Sequence, residues 1–489
     1  MGSDRMCTEE ERQPRQRGGR ITHTGLHPYS RHDQTGGDLL ETPGYPVNRP
    51  NGRDHPEHGT EDHQHHTNVH LSLQVHEAAL PTLYSLSAQV KHAINRRQGF
   101  RGVNRMREEL VLEIPEQINL PLAAQRKAQA ASRSWPAGTR IISADSHMIE
   151  GDYWYDGFPV HKKDQAPRMQ FVDGYFDMTI GEKHMTPPEI ARHLCNAMEC
   201  NPGLSDVPAR LKDLDVEGVE KELIFPQRLF GLFMFGEMQN REEVFALYNE
   251  AIARRCAEAP DRLFPVMVPN YWDMDATAAS VQRCVELGAR GLMVPLKPGR
   301  NNSGKHINYN DPKMDAMYSA IADSGVPLVF HIGEAIPSAM PGAAGISVLT
   351  QMQGFRLQWS SLTFAGVFDR FPALKVIFVE GGLSWVASML HDADMAYTHF
   401  PTSMNPKLTH APSWYWRNHC YATFMTDPVG LSLLDRIGPE TCLWSSDYPH
   451  QESTFGYTRS SIQAVFDATN IENAQMILGK TALKLFRME

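Results

Sequence analysis

Polar residues suited to acid–base or metal chemistry stand in this sequence where short apolar runs end. One run, 442–446, is followed directly by Asp447, then by Tyr448, Pro449 and His450. A run of this composition is typical of a buried parallel strand, and proline cannot donate the hydrogen bond that would continue it. We therefore predict that Asp447 lies at a strand end, with His450 in the loop above it. Taken alone, Asp447 could equally cap the following turn.

Other apolar runs end on residues of the same kinds. Asp145 and His147 follow one run, His331 closes another, and Glu380 closes a third. Side chains at positions i and i+2 of a strand point the same way, so Asp145 and His147 can reach one ion. Imidazole and carboxylate ligands together suit Zn(II), Mn(II), Fe(II) or Co(II) and leave room for water or substrate. The alternative for His331 is a core histidine bonded to a backbone carbonyl.

The elements that would carry these residues alternate regularly from residue 139 to the end of the chain. Short apolar runs are separated by stretches with helical spacing, a pattern that indicates βα units and a parallel sheet. Eight such runs predict an α/β fold, a (β/α)8 TIM barrel with inserted loops, whose strands all end at one rim. The predicted strands are 140–145, 219–225, 263–268, 291–294, 327–331, 375–380, 420–424 and 442–447.

The N-terminal part of the chain has a different composition. Residues 1–70 are polar and rich in Gly, Pro, Arg, Asp and His, so we predict a disordered tail. Residues 71–138 show some helical spacing and are predicted to form a partly helical N-terminal extension, which leaves 139–489 for the barrel. The tail contains a histidine tract that could bind metal ions loosely or remain solvated without a defined site. Its members are His55, His58, His63, His65, His66 and His70.

Composition narrows the classes of function. The net charge of -10 over 489 residues argues against nucleic-acid binding, which requires clustered Lys and Arg. No window has the roughly 18 uninterrupted apolar residues of a membrane helix, and the first residues lack a signal-peptide core. We therefore predict a cytoplasmic protein without membrane contact. The 7 cysteines are scattered without a CxxC pair, and we expect them to be reduced and mostly buried.

The order of these motifs along the chain is distinctive. The motifs are Asp145-x-His147, His331 at a strand end, Gly381-Gly382 after a strand, Ser446-Asp-Tyr-Pro-His450, and the flanking stretches 210–218, 248–249, 260–264 and 478–482. In this combination the chain resembles the metal-dependent amidohydrolases over residues 141–486. The resemblance is to the branch that includes the aminocarboxymuconate-semialdehyde and resorcylate-type decarboxylases.

This resemblance implies a metal site and a set of roles. Asp145, His147, His331 and Asp447 would bind a catalytic divalent ion, with zinc as the first expectation and Mn(II), Fe(II) or Co(II) as alternatives. Asp447 would also act as the base that takes a proton from metal-bound water. The family further implies a small-molecule substrate and a homodimer.

Departures from the family pattern bear on the reaction. The first motif position, often histidine, is Asp145 here, and Thr481 replaces a frequent asparagine in the last helix. The decarboxylase members have a histidine where this chain has Glu380. An ionised glutamate would repel a substrate carboxylate, whereas it could act as a catalytic carboxylate or bind a second ion. This difference favours hydrolysis over decarboxylation.

Further residues are candidates for the substrate pocket. Lys297 follows the fourth strand, where some binuclear relatives carry a carboxylated, metal-bridging lysine; alternatively it belongs to a basic substrate loop. Trp444 is expected to shape the pocket, and Arg417 could add cationic charge for an acidic substrate. His450 is expected to lie in the pocket with the catalytic residues.

These observations predict a metal-dependent hydrolase that uses metal-activated water to attack a C–N, ester or related carbonyl bond of a small organic molecule. The first alternative is a metal-dependent nonoxidative decarboxylase of an aromatic or unsaturated carboxylic acid. The second is a barrel that has lost catalysis and acts as a binding protein. Metal content would separate the last from the other two, and release of carbon dioxide would identify the decarboxylase.

Overall fold

The computed structural model of the protein describes residues 121–129, 134–233, 240–334, 341–351 and 353–489. The predicted tail at 1–70, with its histidine tract, lies outside these residues. The same holds for 71–120 and 130–133 of the predicted N-terminal extension. Among the helices of the described part, none is long and apolar enough to span a membrane.

Parallel strands form the centre of the described structure. The strands are β1 Ile142–Ser143, β2 His147–Met148, β3 Pro167–Val172, β4 Tyr175–Ile180, β5 Lys183–His184, β6 Lys221–Pro226, β7 Leu263–Met267, β8 Gly291–Met293, β9 Leu328–His331, β10 Val376–Val379, β11 Cys420–Phe424 and β12 Cys442–Trp444. The main sheet has the order β1-β6-β7-β8-β9-β10-β11-β12, and β2 also pairs with β6. Thus β1 and β2 share one of eight positions around the sheet.

The sheet closes between its first and last strands. The N–H of Ala144 donates to the carbonyl of Trp444 at 3.2 Å, and the N–H of His147 donates to the carbonyl of Tyr448 at 2.8 Å. The predicted (β/α)8 barrel is therefore confirmed. The small antiparallel sheet of β3, β4 and β5 is an insertion after the first strand position that the sequence analysis did not anticipate.

Helices occupy the connections between strands. Helix α3, Val207–Glu217, begins after Asp206, whose carboxylate accepts the N–H of Ala209 at 2.7 Å, and ends at Gly218 with φ 77°. Aspartate at the start and a left-handed glycine at the end suit the two termini of a helix. The other helices are α1 Tyr153–Gly157, α2 Pro188–Leu194, α4 Leu229–Phe233, α5 Arg241–Cys256, α6 Met274–Glu286, α7 Asp315–Ser324, α8 Ala343–Gln351, α9 Gln353–Phe364, α10 Val367–Arg370, α11 Ser384–His399, α12 Pro412–His419, α13 Pro428–Leu431, α14 Leu434–Ile437, α15 Thr458–Ala468, α16 Ile471–Gln475 and α17 Thr481–Leu485.

The barrel strands are buried on both faces. Every residue of β9 and β10 is buried, because one face of each strand lines the barrel interior and the other packs under the helices. This burial explains why their sequences are continuous apolar runs rather than alternating patterns. The carboxyl ends of parallel strands in a barrel meet at one rim, so the polar residues that follow the strands are brought together there.

One expectation about the cysteines is wrong. Cys195 and Cys200 form a disulfide in the connection between α2 and α3. The pair escaped sequence inspection because its spacing is not that of a CxxC motif, and only the helical turn at 195–199 brings the two ends together. The four remaining cysteines of the described part are buried free thiols, as expected: Cys256, Cys284, Cys420 and Cys442.

Candidate metal centre

Five polar side chains meet at the rim of the barrel. Ligand atoms of Asp145, His147, His331 and Glu380 lie within 4.8 Å of one another, and all four residues are buried. Asp447 joins them through Oδ1, which lies 3.3 Å from His147 Nε2. His331 Nε2 is likewise 3.3 Å from Asp145 Oδ1. The structure thus brings together the strand-end residues named from the sequence, and we call these five side chains the rim cluster.

Two residues of the rim cluster have a backbone conformation that is unusual outside glycine. Glu380 has φ 71° and Asp447 has φ 55°. The N–H of Glu380 donates to Thr423 Oγ1 at 2.8 Å, and the N–H of Asp447 donates to the carbonyl of Asp145 at 2.9 Å. A left-handed backbone at such residues costs on the order of 1–3 kcal/mol and is concentrated at functional sites. The strain therefore supports a functional role for both carboxylates.

The two histidines of the rim cluster are oriented by bonds on their outer sides. His147 Nδ1 is 2.7 Å from the carbonyl of Pro226, and His331 Nδ1 is 2.5 Å from the carbonyl of Ile332. Each Nδ1–H therefore donates to a backbone carbonyl, and each Nε2 faces the carboxylate of Asp145. Metal-binding histidines are commonly held in this way, with one ring nitrogen bonded to a backbone oxygen and the other free to bind the ion.

Several atoms of the rim cluster are buried without a hydrogen-bond partner among the described residues. They are Asp145 Oδ2, His147 Nε2 and both carboxylate oxygens of Asp447. Their residues are 0% exposed, so water from the surface does not satisfy them. Buried polar atoms are nearly always paired, and an unpaired group costs on the order of 1–3 kcal/mol. The imidazole nitrogens and carboxylate oxygens of the rim cluster lie close enough together to bind one divalent cation.

The charged groups of the rim cluster perturb one another's pKa values. Burial raises the pKa of Asp145, but His331 and His147 outweigh that effect and hold this pKa well below its usual range. Burial and His450 lower the pKa of His147, while the carboxylates of Asp145 and Asp447 beside its Nε2 raise it to about 9. A divalent ion would displace the proton that His147 holds, so metal binding is expected to release protons.

His450 lies against this cluster, with its ring stacked on that of His147 at a centroid distance of 4.0 Å. Its Nδ1 is 3.2 Å from Asp447 Oδ1 and 3.9 Å from Glu380 Oε1, and its Nε2 is 2.9 Å from the side-chain oxygen of Gln227. Burial lowers the pKa of His450, but Asp447 and Glu380 outweigh it and raise that pKa well above its usual value. Sequence reasoning missed Gln227, whose only signal was its position directly after a strand.

A buried ion pair supports the backbone next to the rim cluster. Arg210 Nε donates to Glu222 Oε2 at 2.7 Å, and both side chains are 0% exposed. The other oxygen of Glu222 accepts from Ser146 Oγ at 2.8 Å, and Arg210 Nη1 donates to the carbonyl of His147 at 2.7 Å. We call this the Arg210–Glu222 pair. It fixes the strand end that carries His147, and apart from the family resemblance no pattern in the sequence indicated it.

The three residues predicted to bind substrate lie in different places. Trp444 is fully buried, and its indole N–H donates to Ser461 Oγ at 2.9 Å on α15, so the ring faces the outer helix layer rather than a pocket. Arg417 lies on α12 just before β11 begins and bonds Glu440 at 3.1 Å, which places it at the end of the barrel opposite the rim. The structure thus does not bring Trp444 or Arg417 to the rim cluster, because strand direction and side-chain alternation turn both away.

Lys297 follows β8 on the rim side of the barrel. Its side chain is exposed, and its backbone N–H donates to Glu334 Oε2 at 2.8 Å. A carboxylated lysine that bridged two ions would have to be buried with the rim cluster. The exposed position instead fits the second alternative considered for this residue, a basic loop near the entrance.

Comparison with known proteins places the chain in a family. A family model described as Amidohydrolase matches residues 198–488. The chain belongs to the amidohydrolase family. Among curated proteins, it is similar to gamma-resorcylate decarboxylase from Rhizobium sp. (strain MTP-10005), with 24% identity over 299 residues that cover 57% of this chain and 86% of the relative.

Solved structures share the fold of this chain. An amidohydrolase from Mycobacterium avium subsp. paratuberculosis K-10 aligns with a TM-score of 0.59 and 19% identity, covering 72% of this chain and 100% of that one. A dihydroxybenzoic acid decarboxylase from Polaromonas sp. JS666, with bound manganese and an inhibitor, aligns with a TM-score of 0.51 and 17% identity over 71% of this chain and 97% of that one. The chain is an enzyme of the amidohydrolase superfamily, and the rim cluster is its candidate site for a divalent metal ion.

The prediction of a hydrolase is wrong, because the curated proteins similar to this chain in sequence are named decarboxylases. The error came from treating Glu380 as an isolated negative charge that would repel a substrate carboxylate. In the structure Glu380 Oε2 lies 3.5 Å from His331 Nδ1, and its Oε1 lies 3.9 Å from His450 Nδ1. Imidazoles therefore lie on two sides of Glu380, which is not the isolated carboxylate that the objection to an acidic substrate assumed.

Proposed function

We propose that this protein is a metal-dependent nonoxidative decarboxylase of a small aromatic or unsaturated carboxylic acid. The observation that carries the proposal is the buried set of unpartnered ligand atoms at the rim of the barrel. The names of the relatives support the reaction type. Zinc and manganese both suit a set of two imidazoles and two carboxylates, and elemental analysis of the purified protein would decide between them.

We assign the metal ligands to Asp145, His147, His331 and Asp447. A divalent ion held there would supply a Lewis acid for the substrate carboxylate and for the negative charge left on carbon. The carbonyls of Pro226 and Ile332 would keep the two imidazoles in the ligating orientation.

Decarboxylation requires the site to deliver one proton per turnover. The bond between the substrate carbon and its carboxylate breaks, carbon dioxide leaves, and the remaining electron pair takes the proton. We assign delivery to the Asp447 carboxyl group, since both of its oxygens lack hydrogen-bond partners. His450 Nδ1, 3.2 Å from Asp447 Oδ1, would resupply the proton, and Glu380 would hold the His450 ring in place.

Two aromatic side chains would form the wall of the substrate site. The rings of Phe225 and Phe230 lie 4.8 and 4.6 Å from the ring of His331. They would give an apolar face to a planar acid and exclude water from the reacting carbon. Lys297 would add a positive charge near the entrance, which favours the approach of anionic substrates.

The test is a product assay on the full-length protein loaded with Mn(II) or Zn(II). Gamma-resorcylate and a panel of hydroxylated aromatic acids would be offered, and carbon dioxide would be measured with isotope-labelled carboxylate. We expect carbon dioxide and the decarboxylated product in equal amounts, lost after chelation and restored by metal. An ester and an anilide of the same acids serve as controls. Hydrolysis of these without release of carbon dioxide from any acid would overturn the proposal.

A further inference from the structure

A disulfide-bonded segment outside the rim cluster contacts two of the loops that form the candidate site. We call residues 195–201 the bracket. Cys195 is buried and Cys200 is exposed, and the disulfide joins them across five residues. Glu199 and Asn201, at the end of the bracket, are both buried polar residues. The chemistry proposed above uses neither of them, so their burial calls for another explanation.

The first contact of the bracket is with the loop after β6. Arg228 Nη2 donates to Glu199 Oε2 at 2.6 Å. Glu199 Oε1 and Arg228 Nε are buried and lack a hydrogen-bond partner among the described residues, so this one bond connects the two side chains. The neighbouring residue is Gln227, which bonds His450 at 2.9 Å. Movement of the bracket would therefore displace Arg228 and its neighbour Gln227, and with Gln227 the His450 imidazole that lies beside Asp447.

The second contact of the bracket is with the loop after β12. The Tyr448 hydroxyl lies 2.8 Å from Asn201 Oδ1 and 2.6 Å from Asp213 Oδ2, and Tyr448 directly follows Asp447. The N–H of Gly203 donates to the same oxygen at 2.9 Å. A Cβ atom at Gly203 would lie 2.0 Å from the Tyr448 hydroxyl, so the backbone and the ring are in close contact. The bracket thus contacts the loop that carries Asp447 and His450 and the loop whose Gln227 bonds His450.

We propose that the bracket positions Asp447 and His450, and that its disulfide makes this positioning sensitive to redox state. A dithiol of the thioredoxin class would attack the exposed sulfur of Cys200, break the S–S bond, leave both cysteines as thiols and depart as its own disulfide. Exposed disulfides are the ones most open to such exchange. Opening the bond frees the backbone of the segment, so Glu199 and Asn201 hold the two loops less firmly.

This inference rests on the proposed function for its activity readout but not for its metal readout. Asp447 is an assigned metal ligand, so its position can be followed by metal affinity alone. The full-length protein would be reduced with a dithiol, freed of reagent by gel filtration without oxygen, and titrated with Mn(II) against a chelator. Mass spectrometry after alkylation would count the thiols. The histidine tract is common to both states, so differences between them report on the site.

We expect reduction to weaken Mn(II) binding by about 10- to 100-fold, the usual effect of removing groups that orient metal ligands, and to lower kcat/KM for the acid by a similar factor. Reoxidation with a disulfide reagent should restore both. The variant C195S/C200S should behave like the reduced protein and show no response to the dithiol. The variant E199Q, which keeps the disulfide, should show part of the loss.

Equal Mn(II) affinity in the oxidised and reduced proteins would overturn the inference. A fall in thermal stability with unchanged affinity would do the same, since it would make the disulfide purely structural. If the cysteine variants fail to fold, the comparison of Mn(II) affinity between the oxidised and the reversibly reduced native protein still decides the question. Failure of every acid to release carbon dioxide would instead count against the proposed function and leave the metal comparison intact.

Discussion

The rim cluster and the Arg210–Glu222 pair are both buried groups of charged residues. They lie next to each other, because Ser146, which bonds Glu222, directly precedes His147 of the rim cluster. Within the pair, the carboxylate of Glu222 accepts from both Arg210 and Ser146. Within the rim cluster, both oxygens of Asp447 are without hydrogen-bond partners among the described residues, and imidazole nitrogens approach them only to 3.2 and 3.3 Å. Asp447 and Glu222 are both 0% exposed, so the difference between these two carboxylates lies in hydrogen bonding. A buried carboxylate that accepts hydrogen bonds from the protein stabilises the fold. A buried carboxylate without such donors is available to bind a ligand.

The largest effect is expected on turnover, when the Asp447 carboxylate is replaced. The variant D447N keeps the shape of the side chain but removes the acid, so decarboxylation should fall by about 10²- to 10⁴-fold. The variant keeps the backbone hydrogen bond from residue 447 to the carbonyl of Asp145, so the free energy of unfolding of the metal-free protein should stay within about 1 kcal/mol of wild type. Turnover assays and urea unfolding in a chelator would measure the two quantities. Retained turnover would remove Asp447 from proton delivery.

For the Arg210–Glu222 pair, by contrast, we expect a substitution to lower the stability of the fold. The variant R210M leaves Glu222 as a lone buried charge, which should cost about 3–5 kcal/mol of unfolding free energy. Adding E222Q removes that charge, so the double variant R210M/E222Q should recover part of the loss. Urea unfolding of the three proteins in a chelator would test this. A single variant as stable as wild type would show that the pair does not support the fold.

A third buried carboxylate, that of Glu150, has hydrogen-bond donors but, in the described part of the chain, no charged partner at hydrogen-bond distance. Changing it should give the smallest effect, on the pH dependence of stability. Glu150 is buried, and its carboxylate accepts the N–H groups of Gln227, Arg228 and Leu229 at 2.8 to 3.1 Å. Burial outweighs these donors and raises the pKa of Glu150 to about 7. Its neutral form therefore persists in the folded state at pH values where the unfolded chain is already ionised.

The sign of the pH dependence follows from this raised pKa. Between the unfolded pKa, near 4.5, and the folded one, the native state binds more protons, so the stability from Glu150 is present at low pH and is lost as pH rises toward about 7. The effect is at most about 3 kcal/mol. Relative to wild type, the variant E150Q should therefore gain stability between pH 5 and pH 8. Urea midpoints across this range would test it, and a constant difference would contradict the assignment.

Residues at strand ends could be predicted because their signal is local. Asp145, His147, His331 and Asp447 each follow an apolar run, and the geometry of a barrel carries such positions to one rim. Arg417 and Trp444 were misplaced, since composition alone does not tell which end of the barrel or which face of a strand a residue occupies. The partners Gln227 and Glu199 were missed because their roles depend on contacts with residues far away in the chain.

The sequence by itself determined the eight-stranded barrel and the polar residues at its strand ends, since hydrophobic periodicity and strand termini are set by neighbouring residues. Only the tertiary structure decided how those residues are partnered. It placed Glu380 between His331 and His450, joined Cys195 to Cys200, and left the oxygens of Asp447 without hydrogen-bond partners among the described residues. These outcomes depend on atoms brought within a few ångströms by the closed barrel, because hydrogen bonding and electrostatic interaction act over distances in space rather than along the chain.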